Sequence, residues 1–532
     1  MRTVRDAAFD ELRRHGLTTL FANPGSTEIA LLSDLPGDIR FVLALHEGSV
    51  VGAATGWALL RDAPALAVLH STAGLGNAVG ALATARANRA PLVVLVGQQD
   101  RRHLAHEPFL TGRLDSLAGD YPVQVETPLR AQDVPGAIGR AAHAARTGRG
   151  PALVIVPMND WAEPAEDLPV PAPAVLRTAT AASPESVAET AALLAGAGAP
   201  ALVVGAAADT QDTWSALVAL AERLGCPVWQ EPFGARAGFP QDHRLFAGHL
   251  PADRGRLREA LAPHDLVLVV GAPVLRQYPY DEGPLVRPGT RLVLVTDDPA
   301  EAHRAPAELA VLTPLPDFVA RLAAQVPGRD GEGARPARRP RPAPPAAGEP
   351  LRAAHVLAAL AERLPADTVL IEETPSSRPD LHALLPARGP LGFLSAAMGG
   401  LGFAMPAAVG ARMAAPRRPV LAVLGDGSSL YQVQALWTAA HYDVGAVFVV
   451  LSNGRYAVMD RLAEKAGGKG PWPAFDGISV HALATALGCP AERITRHDEL
   501  IAALDAVVPT LASRTRPLLL DVAVEPDPTF EP

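Results

Sequence analysis

Cysteine is nearly missing from this chain. Two occur in 532 residues, Cys226 and Cys489, well separated and with no Cys or His nearby at metal-ligand spacing. That excludes a disulfide framework and a zinc site. Aromatic residues make up only 5%, and no run approaches the roughly 18 uninterrupted apolar residues of a spanning helix. The first residues, Met1-Arg2-Thr3-Val4-Arg5-Asp6, have no apolar signal core, so the expected location is the cytoplasm with no membrane contact. A basic excess is also lacking: 47 Lys and Arg stand against 56 Asp and Glu, a net charge of −9 spread over the length. This argues against nucleic acid as a partner. What is present is aliphatic, with 48% hydrophobic residues dominated by Ala, Val and Leu. Such a composition favours buried parallel sheets packed by helices, and the length calls for three domains rather than one core.

The expected fold class is α/β, with three domains of parallel sheet covered by helices over 1–165, 180–325 and 350–532. In the first, a helix over 4–15 and strands over 18–21, 41–45, 65–69, 91–96 and 152–156 alternate with helical stretches. Ligands of such sheets bind beyond the strands' carboxyl ends, and Ser26, Glu47 and His70 each fall just past one. The second domain has strands over 201–204, 227–229, 266–270 and 291–295, and a loop after Gly271-Ala272-Pro273 carrying Arg276, Gln277, Tyr278, Tyr280 and Asp281. It has no Gly-x-Gly-x-x-Gly, so a bound dinucleotide is unsupported. Pro-rich stretches at 163–173 and 328–350 read as linkers. The third domain carries strands over 368–371, 419–424, 446–451 and 517–524.

Two of those last strands end in chemistry. One stops at Gly425-Asp426-Gly427-Ser428 and the other, about 25 residues on, at Asn453-Gly454. A carboxylate and a carboxamide at one sheet edge, among glycines and serines whose N–H groups can face an anion, suit Mg²⁺ bound to a diphosphate. Gly-Asp-Gly is also ordinary turn composition. Elsewhere each candidate has two readings. Glu47 is either a functional buried carboxyl, needing a partner or a raised pKa, or a helix-start carboxylate. His70 is a proton donor and acceptor, or a structural histidine bonded to loop backbone. Ser26 is a site hydroxyl or a helix cap; no Gly-x-Ser-x-Gly surrounds it. Leu401 in Gly399-Gly400-Leu401-Gly402-Phe403 is plain core unless a ligand meets it.

Asn23-Pro24-Gly25-Ser26, Leu45-His46-Glu47, Leu69-His70-Ser71, Gly271-Ala272-Pro273, Gly399-Gly400-Leu401-Gly402-Phe403, Gly425-Asp426-Gly427-Ser428 and Asn453-Gly454 occur in an order and spacing that resemble the thiamin-diphosphate-dependent 2-oxo acid decarboxylases of the benzoylformate decarboxylase type. The resemblance runs over essentially the whole chain. It implies pyrimidine-binding, central and diphosphate-binding domains, and a homotetramer with each cofactor held between two subunits. By resemblance, Glu47 meets N1′ of the cofactor's aminopyrimidine, His70 relays protons and Ser26 hydrogen-bonds the substrate carboxylate. Leu401 matches the residue that props the cofactor in its bent form, and the Gly399 carbonyl accepts from the 4′-amino group. Asp426, Asn453 and the main-chain carbonyl of Arg455 match Mg²⁺ ligands. Ser376, Ser377, Gly425, Gly427, Ser428 and Tyr456 fall at the remaining cofactor-binding positions.

The family carries a second histidine in the central-domain loop, where this chain has Tyr278. A phenol, of pKa about 10, donates a hydrogen bond but shuttles protons poorly near neutrality. Phe109 and Leu110, with Met459 and Leu462 after Asn453-Gly454-Arg455, give a mainly apolar substrate pocket of altered shape. The expected activity is non-oxidative decarboxylation of an aromatic or branched 2-oxo acid to an aldehyde. A carboligase forming acyloins is the alternative, favoured by Tyr278. A flavin-containing acetohydroxyacid synthase-like enzyme shares the three-domain plan but is opposed by the missing phosphate fingerprint.

Overall fold

Uninterrupted Val, Leu, Ile and Ala runs form strands here because both faces of each sheet are covered, so neither face needs polar residues. The computed structural model describes residues 1–166, 170, 177–329, 340–346 and 348–527; the two expected linkers lie partly outside these. Among the described residues, eighteen strands make three sheets of six. The first holds β1 (Thr19–Ala22), β2 (Arg40–Leu43), β3 (Ala65–His70), β4 (Leu92–Gln98), β5 (Gln124–Glu126) and β6 (Pro151–Pro157) in the order β2-β1-β3-β4-β6-β5. The second holds β7 (Pro200–Val204), β8 (Val228–Gln230), β9 (Phe246–His249), β10 (Leu266–Val270), β11 (Arg291–Thr296) and β12 (Leu309–Leu312), ordered β12-β11-β10-β7-β8-β9. The third holds β13 (Val369–Glu373), β14 (Phe393–Ser395), β15 (Val420–Gly425), β16 (Val447–Ser452), β17 (Ala491–Ile494) and β18 (Leu518–Ala523), ordered β14-β13-β15-β16-β18-β17. Pairing is parallel throughout the first two sheets and along β15-β16-β18-β17.

The expected strands are all present, with ends shifted by one or two residues. Five more, β5, β9, β12, β14 and β17, were not foreseen, and each sits at a sheet edge. Four of the five are only partly buried, so they lack the apolar runs that mark central strands. β14 is fully buried but three residues long. No helix among the described residues is long and apolar enough to cross a membrane.

The chain divides into two compact units: Met1–Val175 with Ile371–Ser376 and Ala396–Pro532, and Leu176–Leu370 with Ser377–Ser395. Within the first, the helix Glu47–Arg61 lies against the helix Ala404–Ala414, both nearly all buried. Small residues let their backbones touch. A Cβ on Gly56 would sit 2.1 Å from the Ala407 carbonyl oxygen, one on Gly410 1.8 Å from that of Ala53, and one on Gly52 2.6 Å from Pro406. Backbone cannot move aside as a side chain can, so these positions fix the helices' separation. Gly410→Val is expected to lower stability by roughly 3 kcal/mol in chemical denaturation. Gly80→Ala, where an added Cβ meets nothing within 4 Å, should change it by less than about 1 kcal/mol.

Candidate active site

The ends of β1 and β3 and the start of the helix Glu47–Arg61 converge on two acidic side chains. Glu47 opens its helix, yet its carboxylate does not cap it; His46 Nδ1 accepts from the Gly48 N–H instead. Asn23 donates to Glu47 Oε1 and Asn77 to Oε2, each at 3.0 Å. Only 8% exposed, Glu47 is thus held by two neutral carboxamides, which orient it without neutralising it. The helix-start reading is set aside on this geometry. His70 is adjacent: a Cβ on Gly74 would lie 3.5 Å from both Glu47 Cγ and His70 Cβ.

Glu28 holds His70. Its Oε2 accepts from the Gly25 N–H at 2.8 Å and lies 3.1 Å from His70 Nδ1, while Thr27 Oγ1 lies 2.9 Å from the same nitrogen. The Thr27 hydroxyl donates to Glu28 Oε1, so its free lone pair faces the ring. Nδ1 therefore meets two acceptors, which assigns the proton to Nδ1 and leaves Nε2 as the accepting nitrogen. Two glycines make the room. A Cβ on Gly25 would meet the His70 ring at 2.4 Å, and one on Gly97, near the end of β4, would meet Glu28 Oε1 at 1.8 Å. Ser71, directly after His70, takes φ +39°, a left-handed conformation rare outside glycine and often found at functional turns. Ser26 is exposed and caps nothing: Gly25 occupies the N-cap position of the short helix Ser26–Glu28. The helix-cap reading of Ser26 is therefore set aside.

At the third sheet, β15 and β16 are neighbours in parallel register, Gly425 opposite Leu451. Asp426 is 6% exposed; its Oδ1 accepts from the Gly427 N–H at 2.8 Å and its Oδ2 from the Gly454 N–H at 2.6 Å. Burial pushes its carboxyl above the usual carboxylate range. Asn453 Oδ1 accepts from the Arg455 N–H at 3.0 Å. A buried carboxylate held only by N–H groups, with a carboxamide oxygen at the next strand end, is a hard-oxygen donor set that fits Mg²⁺. At Gly427 an added Cβ would strike the Tyr456 ring at 2.6 Å, so the turn after β15 has no room for a side chain there. Ser428 is buried beside it, while Ser376 Oγ accepts from the Val458 N–H at 3.1 Å. Ser377 opens the helix Arg378–Leu384 without a side-chain cap bond.

The loop 399–403 precedes the helix Ala404–Ala414. Leu401 is half-buried rather than fully buried. Gln432 ties this loop to the first group: its Oε1 accepts from Ser49 Oγ at 2.6 Å, and its Cγ lies 2.8 Å from where a Gly402 Cβ would be. The pocket candidates are open: Phe109 is 87% exposed, Leu110 and Met459 are also exposed, and Leu462 is half-buried. Tyr278, in the second unit, is 73% exposed, its N–H donating to the Ala252 carbonyl at 3.2 Å.

Comparison with known proteins matches this geometry to one family over nearly the whole length. Residues 2–118 match the N-terminal TPP binding domain of thiamine pyrophosphate enzymes, 187–322 their central domain and 376–522 their C-terminal TPP binding domain. Benzoylformate decarboxylase of Pseudomonas aeruginosa is 38% identical over 545 residues, covering 100% of both chains. This chain is a thiamine pyrophosphate enzyme. Among solved structures, benzoylformate decarboxylase from Polynucleobacter necessarius superposes on this thiamine pyrophosphate enzyme with a TM-score of 0.94 at 34% identity, covering 100% of each chain. The Rhodococcus jostii thiamine diphosphate-dependent 4-hydroxybenzoylformate decarboxylase gives 0.92 at 34%, covering 99% of this chain and 100% of its own. A putative acetolactate synthase large subunit of Mycobacterium tuberculosis is 29% identical, covering 96% of each chain. The chain is therefore a thiamine-pyrophosphate-dependent carboxy-lyase of the benzoylformate decarboxylase type.

Sequence reasoning passed over Glu28, Thr27, Asn77, Gln432 and Glu373. Their only signal is position: Glu28 shares the Pro-Gly-Ser-Thr-Glu turn with Ser26, and Asn77 lies six residues past Ser71 on one helix. In Glu28→Gln the new NH₂ can donate to Thr27 and reverse its hydroxyl towards the ring. ¹⁵N shifts of His70 in histidine-labelled protein should then move from a single Nδ1–H tautomer to a mixture.

Proposed function

We infer that this enzyme decarboxylates an aromatic 2-oxo acid of the benzoylformate class, without oxidation, to the corresponding aldehyde. The full-length 38% identity to a benzoylformate decarboxylase carries this reading, and the Glu47–His70 arrangement supports it. Branched aliphatic 2-oxo acids are the secondary substrate class. In the reaction the C1–C2 bond breaks, CO₂ leaves, and a proton must reach C2 to give the aldehyde. Thiamin diphosphate, when bound, supplies a ring that takes up the electron pair left behind.

The protein's part is binding, orientation and proton traffic. Asp426, Asn453 and the Arg455 carbonyl would hold Mg²⁺; Gly425, Gly427, Ser428, Ser376, Ser377 and Tyr456 would bind the diphosphate; Gly399 and Leu401 would support the cofactor's rings. Glu47, steadied by Asn23 and Asn77, exchanges a proton at the pyrimidine nitrogen. Ser26 offers its exposed hydroxyl to the substrate carboxylate. His70 works through Nε2, the nitrogen left bare by Glu28 and Thr27, accepting and returning the proton that ends on C2. Phe109, Leu110, Met459 and Leu462 are apolar surface for an aromatic ring, the first three exposed and Leu462 half-buried as they stand, in keeping with sites completed by a second subunit of a cytoplasmic homotetramer. Acyloin formation is the second reading, favoured by Tyr278 in the central loop: a slower final protonation leaves time for a second carbonyl to be attacked.

Purified protein with thiamin diphosphate and Mg²⁺ should convert benzoylformate to benzaldehyde and CO₂ when assayed against a panel of 2-oxo acids. Acyloin as the main product favours the second reading, and no CO₂ from any member ends both. Glu47→Gln should bind cofactor yet lose about 10²-fold or more in kcat. Thiamin diphosphate with Mg²⁺ should raise the melting temperature, and either a chelator or Asp426→Ala should abolish that rise.

A further inference from the structure

The loop that carries Gly399 and Leu401 is fastened from beneath by a side chain with no part in the chemistry above. Glu373 ends β13 and is 3% exposed. Its Oε1 accepts from the Gly402 N–H, and its Oε2 from the N–H groups of Phe403 and Ala404, all three at 2.7 Å. These donors are the first turn of the helix Ala404–Ala414 and the residues leading into it, N–H groups that have no partner within the helix. Capping alone needs far less, since one neutral Ser or Asn oxygen satisfies a helix start. A buried carboxylate is a costly cap: burial and the neighbouring Glu372 push the Glu373 carboxyl up to about 7, against the pull of the three N–H groups. What the two carboxyl oxygens add is a three-point hold on consecutive peptide groups immediately after Leu401.

The rest of the loop is equally constrained. Gly399 and Gly402 take φ +73° and +91°, conformations that only glycine adopts freely. Side chains of Gln432 and Tyr431 crowd Gly402 from the other side, at 2.8 and 3.1 Å from a would-be Cβ. Leu401, between the two glycines, is half-buried. The backbone immediately after Leu401 is thus held by Glu373 and packed against Gln432.

We propose that Glu373 is a cofactor-positioning residue: the buried side chain that holds Leu401 and the Gly399 carbonyl where thiamin diphosphate meets them. The proposal rests on the reading of Leu401 and Gly399 as cofactor contacts. Glu373 touches no reacting atom; it governs how tightly the cofactor binds rather than how fast it reacts. Replacing the carboxylate by a carboxamide turns one acceptor into a donor facing N–H groups, so at least one of the three bonds is lost.

The test is the Kd of thiamin diphosphate for the cofactor-free full chain in excess Mg²⁺, by calorimetry or tryptophan fluorescence. In E373Q it should weaken about 10- to 100-fold, while kcat at saturating cofactor stays within about threefold of wild type. Because Glu373 acts through Leu401, the penalty should shrink to about twofold or less in an L401A background. E373D keeps the charge with a shorter reach and should fall between wild type and E373Q, deciding the matter should E373Q not fold. Wild-type Kd in the folded variant, or an undiminished penalty in L401A, overturns the proposal alone. Failure of the wild-type chain to bind thiamin diphosphate overturns it together with the functional reading.

Discussion

Two helices touching backbone to backbone are the constraint on which the site depends. Gly52, Gly56 and Gly410 bring Glu47–Arg61 and Ala404–Ala414 closer than any larger residues allow. One helix begins with Glu47 and the other with the loop that ends in Gly402 and Phe403, so their crossing ties a carboxylate of the first sheet to the glycine-rich loop of the third. Gln432 adds a polar tie at the same place. Packing of this kind transmits displacement, because peptide carbonyls in contact have nowhere to go.

The sheets do the complementary work of delivery. In a parallel sheet the strands end on one side, and there Ser26, Glu47 and His70 gather from one sheet and Asp426 and Asn453 from another. Each group is then steadied by neutral or opposite-facing partners: Asn23 and Asn77 for Glu47, Glu28 and Thr27 for His70, backbone N–H groups for Asp426. The arrangement keeps acidic groups buried without pairing them to arginine, which would fix their charge and remove them from proton exchange.

Much of this was legible beforehand, and the reasons are specific. Central strands such as Leu266–Val270 are apolar on both faces, a pattern that needs no context to read. Edge strands such as Ala491–Ile494 are half-solvated and short, so their sequences carry little signal. The placement of Gly425-Asp426-Gly427 and Asn453 at neighbouring strand ends was readable because each turn directly follows an apolar run. Glu28 and Glu373 were not, because their partners lie 42 and about 30 residues away, and a buried glutamate at a strand end looks like any other turn acid. For Ser26 a helix cap and a site hydroxyl read alike in sequence, because the same residue types serve both, and it takes the structure to put Gly25 at the N-cap position.

Gly97 carries a wider implication. It belongs to a buried strand, binds nothing and has no side chain, yet the space it leaves is filled by the Glu28 carboxylate that orients His70. A methyl group at that point would act on the histidine from the far side of its partner. The chemistry of the site is in this sense encoded partly as an empty volume within the sheet, and a search for active-site residues by functional group would pass over the position that leaves room for the partner of His70.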